Sequence, residues 1–206
     1  LDSFVKYVDF PLYVYNEDFT TTHNVIFQGW NLGDEYSKFQ ERWKKENSIS
    51  KFAKKGFSII HAMNNIDCDY IVWIDADCII KETIDLDLLK KVSNKKTLSS
   101  HFSVYHEKND SCYHSCETGF FVLNKNHPQF ESFKNIYTSI YVNDEYLNLR
   151  RFYDGDVYGE TVNRLDSKYM LDLNVNHKYK SPMKRSVLKE HIVHYKGKSS
   201  KNKKFT

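Results

Sequence analysis

The stretch YIVWIDADCII spans residues 70–80 and decides how the rest of the chain is read. Ile71, Val72, Trp73 and Ile74 form a short apolar run leading into Asp75 and Asp77, with only Ala76 between them. A run of this kind reads as a buried strand that delivers carboxylates to the edge of a sheet. Side chains alternate along a strand, so extended geometry through this segment would point Asp75 and Asp77 the same way. Two carboxylates that close repel each other unless a divalent cation lies beside them. Mg²⁺ or Mn²⁺ held by one or two carboxylates, with phosphate oxygens completing the shell, suits the spacing. The segment therefore points to metal-assisted chemistry on a phosphorylated ligand.

Composition sets the bounds. A chain of 206 residues is expected to form one domain, 1–206, large enough to bury a substantial core. With 15 Tyr and 14 Phe that core should be rich in rings, and only 3 Pro and 7 Gly argue against a linker-like or disordered chain. The 30 basic and 27 acidic residues nearly cancel, which gives no case for a general nucleic-acid binder. No apolar run approaches the roughly 20 residues that span a bilayer, and no signal-peptide pattern opens the sequence. The expectation is a cytoplasmic protein with reduced thiols at Cys68, Cys78, Cys112 and Cys116. Because the first residue is Leu1 rather than Met, an upstream strand, anchor or signal stays open. Heavy use of Lys, Asn and Tyr suits an AT-rich microbial or viral genome.

Outward from the central strand, residues 11–15 read as a strand ending in the polar cluster Asn16, Glu17 and Asp18. Residues 34–47 and 50–64 read as helices, the second with Phe52, Ile59, Ile60 and Met63 on one face. A short helix is expected around 84–93, and strands at 98–105 and 118–124. Residues 127–142 carry the clearest amphipathic stripe: Phe130, Phe133, Tyr137, Ile140 and Tyr141. Residues 154–165 form a helix entered through an acidic turn, and late strands lie near 169–175 and 188–195. Alternating strands and helices predict an α/β sandwich with a mostly parallel central sheet. Cys112, His114 and Cys116, near His101 and His106, offer zinc donors at a spacing that matches no zinc module, so residues 105–117 read instead as an active-site loop. From Lys196 onward the chain is polar and lysine-rich, the composition of a tail that orders only on a ligand.

The helix FAKKGFSIIHA, the strand YIVWIDADC, the strand ETGFFVLN, the turn YDGD and the late HYKGKS occur in that order. Together, over roughly residues 50–200, they resemble the GT-A-fold glycosyltransferases, nearest in pattern to the glycogenin-like and lipooligosaccharide galactosyltransferase branch. The resemblance implies a Rossmann-type α/β/α sandwich, its first strand left open here, and a hexosyltransferase-like enzyme. Such enzymes transfer a sugar from a nucleoside-diphosphate sugar to a glycan-like, lipid-linked or protein acceptor. It also implies that Asp77 is a metal ligand and that Asp75 lies near the metal and the donor ribose. His194 takes the place of a third metal ligand in a late His-x-x-Gly-x-x-Lys segment, which favours Mn²⁺ over Mg²⁺. Gly197 and Lys198 or Lys201 would hold the diphosphate, although Lys201 falls one residue beyond the family offset. Lys55 matches the basic position of a Phe-x-x-Lys pattern and would reach the donor phosphates. Gly119 would let the backbone approach the donor sugar, and Asn16, Glu17 and Asp18 would read the base or ribose.

Asp154 and Asp156 match an acidic turn that the family often writes Asp-Gln-Asp. Gly155 stands in the middle here, so retention of configuration does not follow. If the enzyme inverts, Asp156, Asp154 or, third, Glu117 would be the general base on the acceptor hydroxyl. Three other readings compete. A haloacid dehalogenase-type phosphatase would use Asp75 as nucleophile, although its Asp pair usually lies near the N-terminus and is followed by Thr or Val, where this chain has Cys78. A nucleotidyltransferase would carry a glycine-rich basic signature near its start, and none is visible. A nucleotide- or carbohydrate-binding module without turnover would have no need of Asp75, Asp77 and His194 together.

Overall fold

The computed structural model describes residues 1–15, 22–29, 31–108, 111–174 and 182–195. In chain order these form α1 (Asp2–Tyr7), β1 (Tyr13–Tyr15), β2 (Ile26–Gln28), α2 (Asp34–Trp43), α3 (Asn47–Asn65), β3 (Tyr70–Ile74) and β4 (Cys78–Ile80). They continue as α4 (Leu86–Val92), β5 (Ser99–Lys108), β6 (Ser111–Asn124), α5 (Phe130–Val142), α6 (Asp154–Asn163), β7 (Met170–Asp172) and β8 (Ile192–His194). None of the described helices is long and apolar enough to cross a membrane.

The central sheet runs β3-β6-β5-β7. Alternation along β6 builds a core on each of its faces. Phe121 and Leu123, with Ile71 of β3, join a cluster with buried residues of α2, α3, α5 and α6. Phe120 and Val122, flanked by Val72 and Ile74, join a second cluster with Phe4 of α1, Leu88 and Val92 of α4, and Cys78 and Ile80 of β4. Helices therefore cover both faces, as an α/β/α sandwich requires. The stripe read at 127–142 is the buried face of α5, with Phe130, Phe133, Tyr137, Ile140 and Tyr141 all inside. Gly56 lets α5 cross α3 closely, because a Cβ there would lie 2.2 Å from the Tyr141 ring.

The strand directions differ in part from the mostly parallel sheet expected. The pairs β1–β2 and β5–β7 are parallel, whereas β3–β6 and β5–β6 in the central sheet, and β4–β8 beside it, are antiparallel. The reason is local: β5 and β6 are consecutive strands joined as a long hairpin, and such neighbours pair antiparallel. The same hairpin replaces the active-site loop expected at 105–117. Ladder pairing runs from Phe102↔Glu117 to Lys108↔Ser111, with an irregularity between Ser100 and Phe102.

Candidate active site

At the end of β3 the chain turns at once. The Cys78 N–H donates to the Asp75 carbonyl at 3.0 Å, so the extended geometry that would align the two aspartates stops at Asp75. The carboxylates go to different partners. Asp75 Oδ1 accepts from Trp73 Nε1 at 2.8 Å and lies 2.6 Å from Lys55 Nζ. Asp77 Oδ1 lies 3.0 Å from His194 Nε2. Strand pairing brings that histidine in: Cys78 sits opposite His194 in the β4–β8 ladder, and the Tyr195 N–H donates to the Asp77 carbonyl. The Asp77 side chain is 54% exposed and that of His194 only 9%, so the pair opens to solvent on the aspartate side.

Pairing of β3 with β6 adds the next layer. The Asp75 N–H donates to Gly119 O at 3.0 Å, which places Glu117, Thr118 and Gly119 beside the turn. His194 Nδ1 lies 3.4 Å from Glu117 Oε1, a buried carboxylate that also accepts from the Gly119 N–H at 3.3 Å. A Cβ at position 119 would lie 2.6 Å from His194 Cε1 and 2.7 Å from Nδ1, so the missing side chain of Gly119 is what gives the imidazole its seat.

Lys55 reaches the site from α3 but stays inside the protein. Its ammonium faces Asp75 Oδ1, Asp154 Oδ2 at 2.9 Å, Thr118 O at 2.8 Å and Thr118 Oγ1 at 3.2 Å. Three N–H donors thus meet four internal acceptors, and none is left aimed at a phosphate. Thr118 Oγ1 in turn donates to Asp154 Oδ2. Burial would raise the Asp154 carboxyl, but the Lys55 charge and the Thr118 hydrogen bond hold it below its ordinary value. Burial would likewise lower the Lys55 ammonium, and Asp154 and Asp75 together keep it above the usual lysine range.

Asp156 is buried in the first turn of α6 and held by Arg151 through two contacts, Nε to Oδ2 at 3.0 Å and Nη2 to Oδ1 at 3.1 Å. Between the two aspartates, Gly155 presses on β6: a Cβ there would lie 2.2 Å from Cys116 O. The close approach of helix start to strand backbone leaves no space for the glutamine of the family pattern.

The ligand atoms of Asp77, Cys78 and His194 lie within 4.8 Å of one another, and Asp75 stands outside this group. Cys78 is buried, its Sγ donates to Gly119 O at 3.7 Å, and burial followed by the charges of Asp75 and Asp77 pushes the thiol up to about 12. Asp77 and His194 supply the harder oxygen and nitrogen donors of this group and stand as its candidate ligands for a hard cation. Burial works to raise the Asp77 carboxyl too, but hydrogen bonding to His194 and its charge hold it below the ordinary value, so an ionised oxygen faces the solvent side. A carboxylate oxygen beside an imidazole nitrogen, with the Glu117 carboxylate on the far side of the ring, is a donor set that fits Mn²⁺.

The structure thus gathers Lys55, Asp75, Asp77, Glu117, Gly119, Asp154 and His194 around the turn after β3, with Asp156 behind them on α6. Asn16, Glu17, Asp18, Gly197, Lys198 and Lys201 lie outside the described residues, as does the rest of the tail from Lys196. The side chains of His106, Cys112 and His114 are outside them as well, while Cys116 is a buried thiol raised by burial and then by Asp172 and Asp156. Sequence reasoning missed Trp73, Cys78, Thr118 and Arg151 as parts of the site. Trp73 and Cys78 flank the aspartates in the opening segment; Thr118 and Arg151 carry no signal before the fold pairs them.

No family model matches the chain, and no curated protein matches it. Among solved structures, the chain is similar to a glycosyltransferase involved in the glycosylation of the major capsid of PBCV-1. The alignment covers 86% of this chain and 83% of that one, with 16% sequence identity and a TM-score of 0.43.

Proposed function

We propose that this chain is a metal-dependent glycosyltransferase of the GT-A type, moving a sugar from a nucleoside-diphosphate sugar to an acceptor hydroxyl. The observation that carries the reading is the Asp77–His194 pair, 3.0 Å apart and open to solvent at the end of a sheet strand. Those are two of the three positions, with Asp75, at which the sequence resemblance puts the metal, and they meet although they stand far apart in the sequence. Mn²⁺ held there would neutralise charge on the diphosphate and so ease departure of the nucleoside diphosphate.

The chain's own residues have definable tasks in this reading. Asp77 and His194 hold the cation. Gly119, on the strand beside them, gives the His194 imidazole its place. Lys55 locks Asp75 and Asp154 in place through one buried ammonium, so the turn after β3 and the start of α6 keep a fixed relation. Asp154 is a weak base, since its carboxyl lies below the ordinary value, far from the near-neutral range that suits proton abstraction. The phosphatase reading needs a free nucleophile at Asp75, whose Oδ1 is instead engaged by Trp73 and Lys55.

Release of nucleoside diphosphate from a panel of UDP- and GDP-sugars, with and without Mn²⁺, tests the proposal. Mn²⁺-dependent release from one donor is expected, including slow hydrolysis in the absence of acceptor. Hydrolysis of p-nitrophenyl phosphate with no turnover of any nucleotide sugar would contradict it.

A further inference from the structure

We infer that Glu117 is a positioning residue that fixes the ring orientation and tautomer of His194 for cation binding. The inference rests on the proposed metal site and assigns Glu117 a task other than general base. Glu117 and Asp77 flank opposite nitrogens of one imidazole: Oε1 of Glu117 lies 3.4 Å from Nδ1, and Oδ1 of Asp77 lies 3.0 Å from Nε2. A neutral imidazole carries one N–H and one lone pair. A cation between Asp77 and the ring would displace the Nε2 proton that otherwise bonds to Asp77, and Nδ1–H directed at Glu117 then leaves the lone pair on Nε2.

Three features make this a built arrangement. Glu117 is 7% exposed, and a carboxylate that deep in the protein is costly unless it meets donors. The Gly119 N–H, two residues along the same strand, supplies one donor and holds Oε1 toward the ring. The absent side chain at 119 then lets the ring lie against β6, since a Cβ would come within 2.7 Å of Nδ1 and 3.2 Å of Glu117 Oε1. Glu117 stands outside the group of close ligand atoms formed by Asp77, Cys78 and His194. It therefore acts through the histidine, as the carboxylate partners of metal-binding histidines do.

Mn²⁺ binding, measured by calorimetry and by electron paramagnetic resonance on the unmodified protein, Glu117→Leu and Glu117→Gln, tests the inference. Leu removes the acceptor at similar size, whereas the amide oxygen of Gln still accepts from Nδ1–H. Glu117→Leu should weaken Mn²⁺ binding about 10- to 100-fold and lose the imidazole ¹⁴N modulation. Glu117→Gln should retain that modulation and stay within about fivefold of the unmodified affinity. Unchanged affinity in Glu117→Leu, or equal losses in both variants, would overturn the positioning role. Absence of saturable Mn²⁺ binding in the unmodified protein would instead overturn the metal reading beneath it. Glu117→Met replaces the Leu variant if circular dichroism shows that Leu does not fold.

Discussion

Lys55 Nζ lies 2.9 Å from Asp154 Oδ2, deep enough that the two side chains are only 17% and 14% exposed. Lys55 also pairs with Asp75, so its removal strands two carboxylates at once. Breaking a buried pair from one side is strongly destabilising, because the remaining charge has no compensation. Lys55→Met should therefore lower unfolding free energy by about 3–5 kcal/mol in urea denaturation. Adding Asp154→Asn to that variant should restore part of the loss; additive losses would show that the two residues do not act as a pair.

The same pair sets a pH window. Asp154 is held below its ordinary 3.8, so its contribution is present above that value and is lost as pH falls through the folded pKa. Lys55 is held above 10.5, so its contribution is present below that value and is lost as pH rises through the folded pKa. Stability from this pair should be whole between about pH 4 and about pH 10 and should fall on either side. Urea midpoints of the unmodified protein and the Lys55→Met/Asp154→Asn variant should differ most inside that window and converge progressively beyond it.

His101 adds a second acid limb. Burial lowers its pKa from 6.5 to about 4, against the opposing charge of Asp172. Between those values the unfolded chain takes up a proton that the folded chain refuses, so stability falls as pH drops from 6.5 toward 4. The full loss is about 3 kcal/mol. His101→Gln should flatten the urea midpoint between pH 6.5 and 4.5, and parallel slopes in both proteins would contradict this.

Gly155 has no room for a side chain, since a Cβ would lie 2.2 Å from the Cys116 carbonyl. Gly155→Gln, which writes in the residue common in the glycosyltransferases that the sequence resembles, should destabilise by about 1–3 kcal/mol or more as α6 is pushed from β6. A Tm within a degree of the unmodified protein would show that the helix start yields freely.

How far the sequence could be read depends on whether the signal was local. Strand β3 was legible as an unbroken apolar run, Ile71–Ile74, and the buried face of α5 because burial repeats apolar residues at helical spacing from Phe130 to Tyr141. The outer half of the β5–β6 hairpin was not, since Ser103, His106, Ser111 and His114 interrupt any apolar alternation. The hydrogen bonds that pair the strands are made by backbone, which leaves no mark in composition. Within the site, Asp77 and His194 could be placed by motif. Lys55 could be placed beside the site but not given its partners, because Thr118 and Asp154 approach it from β6 and α6 only once the sheet is assembled. Gly155 looked like a departure from a pattern until the approach of Cys116 O accounted for it.

The central claim is that Asp77 and His194 hold a cation that a nucleoside diphosphate shares. Thermal-shift measurement with UDP, GDP and CMP, each with and without Mn²⁺, on the unmodified protein and on Asp77→Asn, tests it most directly. One nucleoside diphosphate is expected to raise Tm only when Mn²⁺ is present, by a shift equivalent to about 2–3 kcal/mol at a hundredfold excess over Kd, and Asp77→Asn should abolish it. No Mn²⁺-dependent shift with any nucleotide, or an undiminished shift in Asp77→Asn, would contradict the account.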